Sequence, residues 1–182
     1  GPKPMHFALI PLPTGALQLL ADSHIPDEFA VHAEPESMPP AFVAARALKL
    51  EASSDHPALP TSYLIVRGGD SRFVGACGFK TPIGATRVEI GYGVASVARG
   101  QGAATAALKL LTEIALQSGS SEVLAEILPD NDASIRVVQK AGFVQVGARI
   151  DEDLVQPPAR FVSLLCSAFV QAACTACLRG RG

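Results

Sequence analysis

The sequence predicts one α/β domain with a mixed, twisted sheet of about six or seven strands and helices on both faces. Two patterns carry this prediction. Apolar, strand-forming segments joined by short turns form an antiparallel meander in the first half of the chain, and a strand–helix–strand order in the second half implies a parallel crossover. With 182 residues, of which 48% are hydrophobic, the chain is long enough for one domain with its own core.

The predicted elements of the first half follow from turn residues and apolar segments. Thr14 and Ser37 are candidate N-caps, because a short hydroxyl side chain satisfies free backbone N–H groups at a helix start. Residues 68–71 supply a hairpin turn. In order, the elements are a strand at 5–12, a short helix from residue 14, a polar loop at 22–39, a helix up to about residue 53, and strands at 61–67 and 72–79.

The polar loop at 22–39 carries four carboxylates, on Asp27, Glu28, Glu34 and Glu36. Charges of this kind usually belong to a solvated loop, and that interpretation is preferred for most of these residues. The functional alternative is an acidic lip that attracts a cationic substrate by long-range electrostatics.

The second half alternates strands and helices. The clearest helix prediction covers 101–118, where apolar residues recur at helical spacing. Gly119 and Gly142 end the two predicted helices at the left-handed position that glycine favours, and Asn131 precedes the second helix as a cap. In order, the elements are a strand at 88–94, a helix at 101–118, a strand at 122–128, a helix at 132–141, and strands at 143–150 and 160–166.

The composition indicates a globular protein of the cytoplasm. The net charge is −2 and no long basic run occurs, so nucleic acid is not expected to be the main partner. The apolar segment at 7–12 is short and interrupted by Pro11, unlike a secretory signal. A reducing cytoplasm with free thiols is therefore expected for the four cysteines.

The C-terminal region contains two patterns that could indicate a membrane span or a metal site. Residues 161–178 carry no charge and reach the minimum length of a membrane span, but polar residues within them favour a last strand followed by an Ala/Cys-rich tail at 167–182. Cys174 and Cys177 have the spacing of half a zinc site, yet no second pair of ligands complements them. We expect a single domain at 3–166, no metal, no membrane, and a homodimer formed through the last strand or the tail.

Residues 88–104 combine a strand, a short loop and a helix start. Gly91 and Gly93 interrupt the strand, which indicates a bulge or a place where a ligand or another backbone comes close. No bulky side chain follows Arg99 at the helix start. Uncovered N–H groups and the helix dipole then form an anion site suited to phosphates, with the charge of Arg99 beside it.

A dinucleotide-binding turn is an alternative interpretation of this loop. Gly100 and Gly102 open a helix between two strands, and Glu126 lies about where a ribose-binding acid would lie. Against this, Thr105 occupies the third glycine position, and the motif follows a long region of helix and antiparallel strand. A dinucleotide-binding turn is therefore the less favoured interpretation of this loop.

Two motifs at a suitable separation are more specific than one. The first is Arg99-x-x-Gly102-x-Ala104, and the second is Asn131-x-x-Ser134 followed by the run Lys-Ala-Gly-Phe at 140–143. Together they resemble the GNAT superfamily of N-acetyltransferases, and the nearest pattern is that of its ribosomal-protein N-terminal acetyltransferase branch. The resemblance is strong from residue 88 to about residue 147. The region at 22–53, where this family reads its acceptor, carries no matching motif.

The resemblance implies a GNAT-like acyl-CoA N-acyltransferase fold with acetyl-CoA as co-substrate. It implies that the glycine-bearing strand separates from its neighbour and pairs with the pantetheine amides, that the helix start holds the pyrophosphate, and that an asparagine bonds the pantetheine arm. The implied cofactor-binding residues are Tyr92, Val94, Arg99, Gly100, Gln101, Gly102, Ala103, Ala104 and Asn131.

Amine attack on a thioester needs the free amine, so a carboxylate must accept a proton directly or through water. Glu89 on the glycine-bearing strand is the first candidate, with a surface residue paired with Arg87 or a neighbour as the alternative. Asp153 is a second candidate, with a solvated loop as the alternative. Ser134 either donates a proton to the leaving thiolate or only helps to cap its helix. Cys77 as an acetyl carrier is not needed for direct transfer.

The function that these observations favour is acetyl transfer from acetyl-CoA to a primary amine by direct attack, with backbone near Val94 polarising the thioester carbonyl. The acceptor is expected to be a small-molecule amine or a protein N-terminus. In many relatives a tyrosine protonates the thiolate, whereas no tyrosine follows Ser134 here. A non-catalytic acyl-CoA sensor or interaction module is therefore the alternative.

Overall fold

The computed structural model describes residues 4–53, 59–148 and 158–163. Within them the chain folds into seven strands and five α-helices, with a 3₁₀ helix at Ser96–Ala98. In chain order the elements are β1 (Phe7–Pro11), α1 (Thr14–Ala21), α2 (Asp27–Ala30), α3 (Ala41–Ala52), β2 (Ser62–Arg67), β3 (Phe73–Phe79), β4 (Arg87–Val94), α4 (Ala103–Gln117), β5 (Glu122–Ile127), α5 (Asp132–Lys140), β6 (Phe143–Ala148) and β7 (Ala159–Ser163).

The strands follow one another in the hydrogen-bonded order β1-β2-β3-β4-β5-β7-β6. The pair β4–β5 is parallel, and the other five pairs are antiparallel. The predicted meander, the predicted crossover and the mixed sheet of six or seven strands are thus confirmed. The chain divides into two compact units, Gly1–Pro82 with Ile90–Leu111 and Ile83–Glu89 with Thr112–Gly182, so β4 and α4 contribute to both.

The core of the first unit lies where α1 and α3 pack on β2 and β3. Leu17 and Leu20 of α1 meet Leu64 of β2, and Ala44 and Ala47 of α3 are buried in the same cluster. Small alanine side chains let the helix approach closely, and burial of the leucines contributes about 1.5–3 kcal/mol each.

Both predicted hydroxyl caps in this unit are wrong. Helix α1 begins at Thr14, whose Oγ1 donates to Glu51 Oε2 at 3.2 Å on helix α3. Helix α3 begins at Ala41 after Pro40, and Ser37 Oγ instead donates to the backbone oxygen of Glu34 at 2.6 Å. In both cases a proline precedes the helix, and the hydroxyl has a better partner outside it.

In the second unit β5, β7 and β6 bury an apolar face under α5. Val123 and Val138 are fully buried, and Phe161 is 1% exposed. Arg87 of β4 donates to both carboxylate oxygens of Glu122 on β5 at 2.9 Å, which fixes the register of the parallel pair. The predicted cap of α5 is confirmed, because the Asn131 side chain accepts from the backbone N–H of Ser134.

Several predicted boundaries need correction. Helix α4 begins at Ala103 rather than at residue 101, and the helix α2 lies within the predicted loop at 22–39. The ladder between β3 and β4 keeps a regular register, so of the two alternatives given for the glycine-bearing strand no bulge is seen in this ladder; register shifts occur instead in β2–β3 and β6–β7. Asp153, Cys174, Cys177 and the tail at 167–182 lie outside the described residues.

Candidate functional site

Strand β4 presents two different faces. Val88 and Ile90 are buried, whereas Glu89, Gly91 and Gly93 alternate with them along the strand. A Cβ atom at Gly91 would come within 2.7 Å of Cε of Lys80, so this glycine lets a lysine chain cross the strand. A Cβ atom at Gly93 would meet no described atom within 4 Å, so the strand surface is open there.

The two ladders of β4 cover different parts of the strand. Parallel pairing with β5 joins Arg87–Glu89 to residues 122–124, and antiparallel pairing with β3 covers residues 90–94. Tyr92 and Val94, both predicted to line the cofactor, lie in the second part and are partly buried. The end of the strand is fixed by the backbone N–H of Ala95, which donates to the oxygen of Val74 at 2.8 Å.

After β4 the chain forms the glycine loop, residues 99–102. Arg99 is exposed and extended, with φ −67° and ψ 153°. Gly100 and Gly102 have φ angles of +77° and +88°, in the left-handed region where other residues are strained. A Cβ atom at either glycine would meet no described atom within 4 Å, so conformation rather than space requires glycine here.

The 15-residue helix α4 starts directly after the glycine loop. Ala103 is buried and Ala104 is partly buried. The backbone N–H of Ala106 donates to the oxygen of Gly102 at 3.0 Å, so the N–H groups of residues 103–105 precede the first helical hydrogen bond. These groups, the helix dipole and the nearby Arg99 form an arrangement suited to a phosphate or pyrophosphate.

The side chain of Gln101, a predicted cofactor-binding residue, has a partner outside the glycine loop. Its Oε1 accepts from Nη1 of Arg67 at 2.9 Å, so the side chain anchors the glycine loop to the end of β2. Arg67 also donates to Asp70 at 2.8 Å and lies 3.7 Å from Glu34. The Arg67 guanidinium lowers the pKa of the Asp70 carboxyl. Sequence reasoning missed Arg67, because its partner lies 34 residues away and no local motif links them.

The predicted site residues of the second unit are Glu89, Asn131 and Ser134. Asn131 Oδ1 accepts from the backbone N–H of Ser134 at 3.2 Å, so its amide group remains a donor for other partners. Glu89 is half-buried on β4, and the neighbouring Arg87 guanidinium bonds to Glu122. The assignment of Glu89 and Ser134 to catalysis stays a prediction.

Cys77 is unsuited to carry an acetyl group. Its side chain is buried, with 6% exposure, and burial raises the pKa of the thiol far above its ordinary value. The thiolate, which is the nucleophilic form, is thereby disfavoured. The direct transfer expected from the sequence needs no such nucleophile.

The first unit also contains a cavity of about 390 Å³, here called the α1–α3 cavity. Its walls come from the end of α1, from α2, and from the chain that leads into α3. Two of the predicted lip carboxylates line it. Glu34 pairs with Arg72 at 2.9 Å, whereas Glu36 Oε2 accepts from the hydroxyl of Ser96 at 2.9 Å.

The described residues contain no cluster of three or more His, Cys, Asp or Glu that could hold a metal ion. Within the same parts of the chain, no helix is both long and apolar enough to cross a membrane. That the site works without a metal stays a prediction.

Residues 16–144 match a family model described as acetyltransferase (GNAT) domain. The match covers most of the chain, so the protein belongs to the GNAT family of acetyltransferases. The expectation of an acyltransferase enzyme, drawn from the motifs around Gly102 and Asn131, is thereby confirmed. No curated protein sequence matches the chain significantly.

Solved structures support the same fold. A ribosomal-protein-S5-alanine acetyltransferase of Vibrio fischeri has a TM-score of 0.60 and 16% identity, over 87% of this chain and 92% of the other. A chimera of the spermidine N-acetyltransferase SpeG from Vibrio cholerae and hSSAT has a TM-score of 0.59 and 13% identity, over 86% and 94%. Mycobacterium smegmatis RimJ in complex with CoA-disulfide has a TM-score of 0.56 and 21% identity, over 86% and 80%. The fold is therefore that of the GNAT acyl-CoA N-acyltransferases.

Proposed function

We propose that the protein transfers an acetyl group from acetyl-CoA to a primary amine, either a small molecule or a protein N-terminus. The observation that carries the proposal is the glycine loop, in which Gly100 and Gly102 adopt left-handed angles immediately before α4 in a chain of the GNAT family. Further support comes from RimJ, a protein of similar fold that was solved with a CoA derivative.

In this proposal the glycine loop and the start of α4 hold the pyrophosphate. The N–H groups of Ala103 and Ala104 donate to phosphate oxygens, and Arg99 supplies a positive charge. Backbone groups of Tyr92 and Val94 bind the pantetheine amides. Open space beside Gly93 supports this role, because an extended ligand needs close access to the strand backbone.

Asn131 contributes a second kind of contact. Its side-chain oxygen is occupied by the cap of α5, so the amide N–H₂ group is the part that donates to a pantetheine carbonyl. The cap orients this donor, because it fixes the side chain against the helix start. One residue thus serves both helix stability and cofactor binding.

The reaction is a direct acyl transfer. The amine nitrogen forms a bond to the thioester carbonyl carbon, the carbon–sulfur bond breaks, and CoA leaves as a thiolate. Glu89, or a water that it orders, takes the proton that the amine loses, and Ser134 protonates the thiolate. Backbone N–H near Val94 stabilises the oxyanion of the tetrahedral intermediate.

An acyl-CoA sensor without turnover is the second candidate function. It is favoured by the positions of the two tyrosines. Tyr63 is buried and its hydroxyl donates to the oxygen of Pro60 at 3.4 Å, and Tyr92 lies on β4, so neither follows the cap of α5 where many relatives carry the acid.

Thiol release from acetyl-CoA, measured with and without a panel of amines, separates the two functions. An enzyme releases CoA only when an amine is present. Glu89→Gln should lower kcat at least about tenfold at neutral pH, because amine deprotonation loses its base. Acetyl-CoA binding without amine-dependent release from any member of the panel favours the sensor.

A further inference from the structure

We infer that Lys80 closes the acyl end of the proposed donor groove, so that the site takes an acetyl group and disfavours longer apolar acyl groups. This inference rests on the proposed acetyltransferase function and narrows its donor class. The donor groove is the surface of β4 from Gly91 to Val94 together with the glycine loop. All of these residues, and Lys80 itself, belong to the first compact unit.

Lys80 emerges on the face of β4 that carries the two glycines. Gly78 of β3 pairs with Gly91, and Lys80 follows Gly78 by two residues, so the side-chain positions of Lys80 and Gly91 share one face. The lysine is partly buried, although lysines are mostly exposed. Its Cε, Nζ and Cδ atoms lie 2.7, 3.6 and 3.8 Å from the place that a Cβ atom of Gly91 would occupy. The chain of Lys80 therefore lies across the strand at Gly91.

The two glycines of β4 thus differ in what lies beside them. At Gly91 the place of a side chain is taken by Lys80, whereas a Cβ atom at Gly93 would meet no described atom within 4 Å, and Gly93 is exposed. Alternate residues of a strand lie on one face, so the covered position and the open position are neighbours on the same surface. A ligand that lies along β4 has access at Gly93 and meets the lysine at Gly91.

The proposed function gives the direction in which the donor lies. Its pyrophosphate is held by the glycine loop and the start of α4, and its pantetheine arm is held by Tyr92 and Val94. The donor therefore runs from α4 back along β4. The acyl group, at the far end of the arm, points from Val94 toward Gly91, and Lys80 lies where a longer acyl chain would continue.

The distance along the strand limits the length of this acyl group. Positions 91 and 93 are about 7 Å apart, because a strand rises about 3.4 Å per residue. Contact between carbon atoms takes about 3.5–4.0 Å, which leaves roughly 3 Å for an acyl chain before it meets Lys80. An acetyl group extends one carbon–carbon bond, about 1.5 Å, beyond its carbonyl carbon and fits. A butyryl group extends three such bonds, so it reaches the lysine and places apolar carbon against an ammonium group.

Calorimetric titration of the full chain with acetyl-CoA and with butyryl-CoA tests the inference. The wild type should bind acetyl-CoA at least about tenfold more tightly than butyryl-CoA. Lys80→Ala should remove this preference, because the additional methylene groups of the butyryl chain then have room beside Gly91 and their burial favours binding. In that variant butyryl-CoA should bind at least as tightly as acetyl-CoA.

Two further variants separate the length of the lysine chain from other effects. Lys80→Met keeps a long unbranched chain without the charge, so the preference for acetyl-CoA should persist. Lys49→Ala is the matched control, because Lys49 is an exposed lysine on α3, and it should bind both acyl-CoAs like the wild type. Thermal unfolding of each variant shows whether it remains folded.

The inference is overturned if the wild type binds both acyl-CoAs equally well, if Lys80→Ala keeps the preference, or if Lys80→Met or Lys49→Ala loses it. Failure of the proposed function gives different results. If neither acyl-CoA binds, the function and the inference are both overturned. If acyl-CoA binds without amine-dependent thiol release, acetyl transfer is overturned, and the binding preference still decides the inference about Lys80.

Discussion

At the scale of single residues, Gly102 and Gly100 define the proposed phosphate site. Their left-handed angles turn the chain so that α4 starts with N–H groups that have no carbonyl partner within the helix. Since a Cβ atom meets open space at both positions, no steric clash with the described protein complicates a substitution. The left-handed backbone angle is therefore the reason why a substitution at Gly100 or Gly102 is expected to disturb the site.

Gly102→Ala is expected to weaken acetyl-CoA binding about tenfold or more, because an alanine relaxes the left-handed angle and reorients the N–H groups. Gly119→Ala is the control. Gly119 has φ +96°, a Cβ atom there would meet no described atom within 4 Å, and the residue lies at the other end of α4. Both variants should lose about 1 kcal/mol of unfolding free energy. Equal acetyl-CoA affinities in the two variants, measured calorimetrically, would contradict the site assignment.

Cys77 provides a prediction about pH. Burial raises the pKa of its thiol, so the folded protein keeps the proton that the unfolded chain releases above about pH 8.5. The stabilisation is fully present below that pH and declines as pH rises, by at most about 1.4 kcal/mol per pH unit. The difference in unfolding free energy between wild type and Cys77→Ala should shrink between about pH 8.5 and 10.5. A constant difference is the contrary result, and amine acetylation at neutral pH should survive the substitution.

At the scale of elements, the Arg67 network joins the end of β2 to the glycine loop that precedes α4. Arg67 bonds to Gln101 in the glycine loop, and both Arg67 and Arg72 share Glu34. The loop therefore depends on a strand end that is distant in sequence. Loss of Arg67 frees the loop, whereas loss of Arg72 removes a Glu34 partner and leaves the loop anchor in place.

Arg67→Met should raise the Kd for acetyl-CoA about fivefold, the effect of one net hydrogen bond of about 1 kcal/mol. Arg72→Met is the matched control and should bind acetyl-CoA like the wild type. Thermal unfolding of both variants shows whether they remain folded. If the two arginine variants bind equally well, the network does not position the loop.

Helix α5 gives a prediction that separates stability from binding. Asn131→Ala should lose about 1 kcal/mol of stability together with affinity, because the cap and the amide donor are both removed. Asn131→Asp keeps a good cap but has no amide N–H₂ group, so stability should persist while acetyl-CoA affinity falls. Wild-type affinity in Asn131→Asp would limit this residue to a capping role.

Local chemistry explains which elements could be predicted from the sequence. Asn131 and Gly119 act through contacts or angles within a few residues, and both predictions are confirmed. Thr14 and Ser37 failed as caps because their hydroxyls bond to groups outside the helices. The anchor of Gln101 on Arg67 joins residues 34 apart, and sequence spacing alone carries no signal for such a pair.

At the scale of the whole molecule, the family match explains why two short motifs were sufficient to predict the fold. They lie within the matched residues 16–144, and the strands around them follow the predicted order. The predicted polar loop at 22–39 carried no motif, and in the structure it lines the α1–α3 cavity together with the end of α1 and the start of α3. The single-domain boundary at 3–166 and the homodimer remain predictions.

The most direct test of the central claim is a calorimetric titration of the protein with acetyl-CoA, with NAD as the control ligand. We expect saturable acetyl-CoA binding at one site per chain, weaker at higher ionic strength because the pyrophosphate is held partly by Arg99, and no comparable binding of NAD. Absence of acetyl-CoA binding, or tighter binding of NAD, would contradict the assignment of the glycine loop to acetyl-CoA.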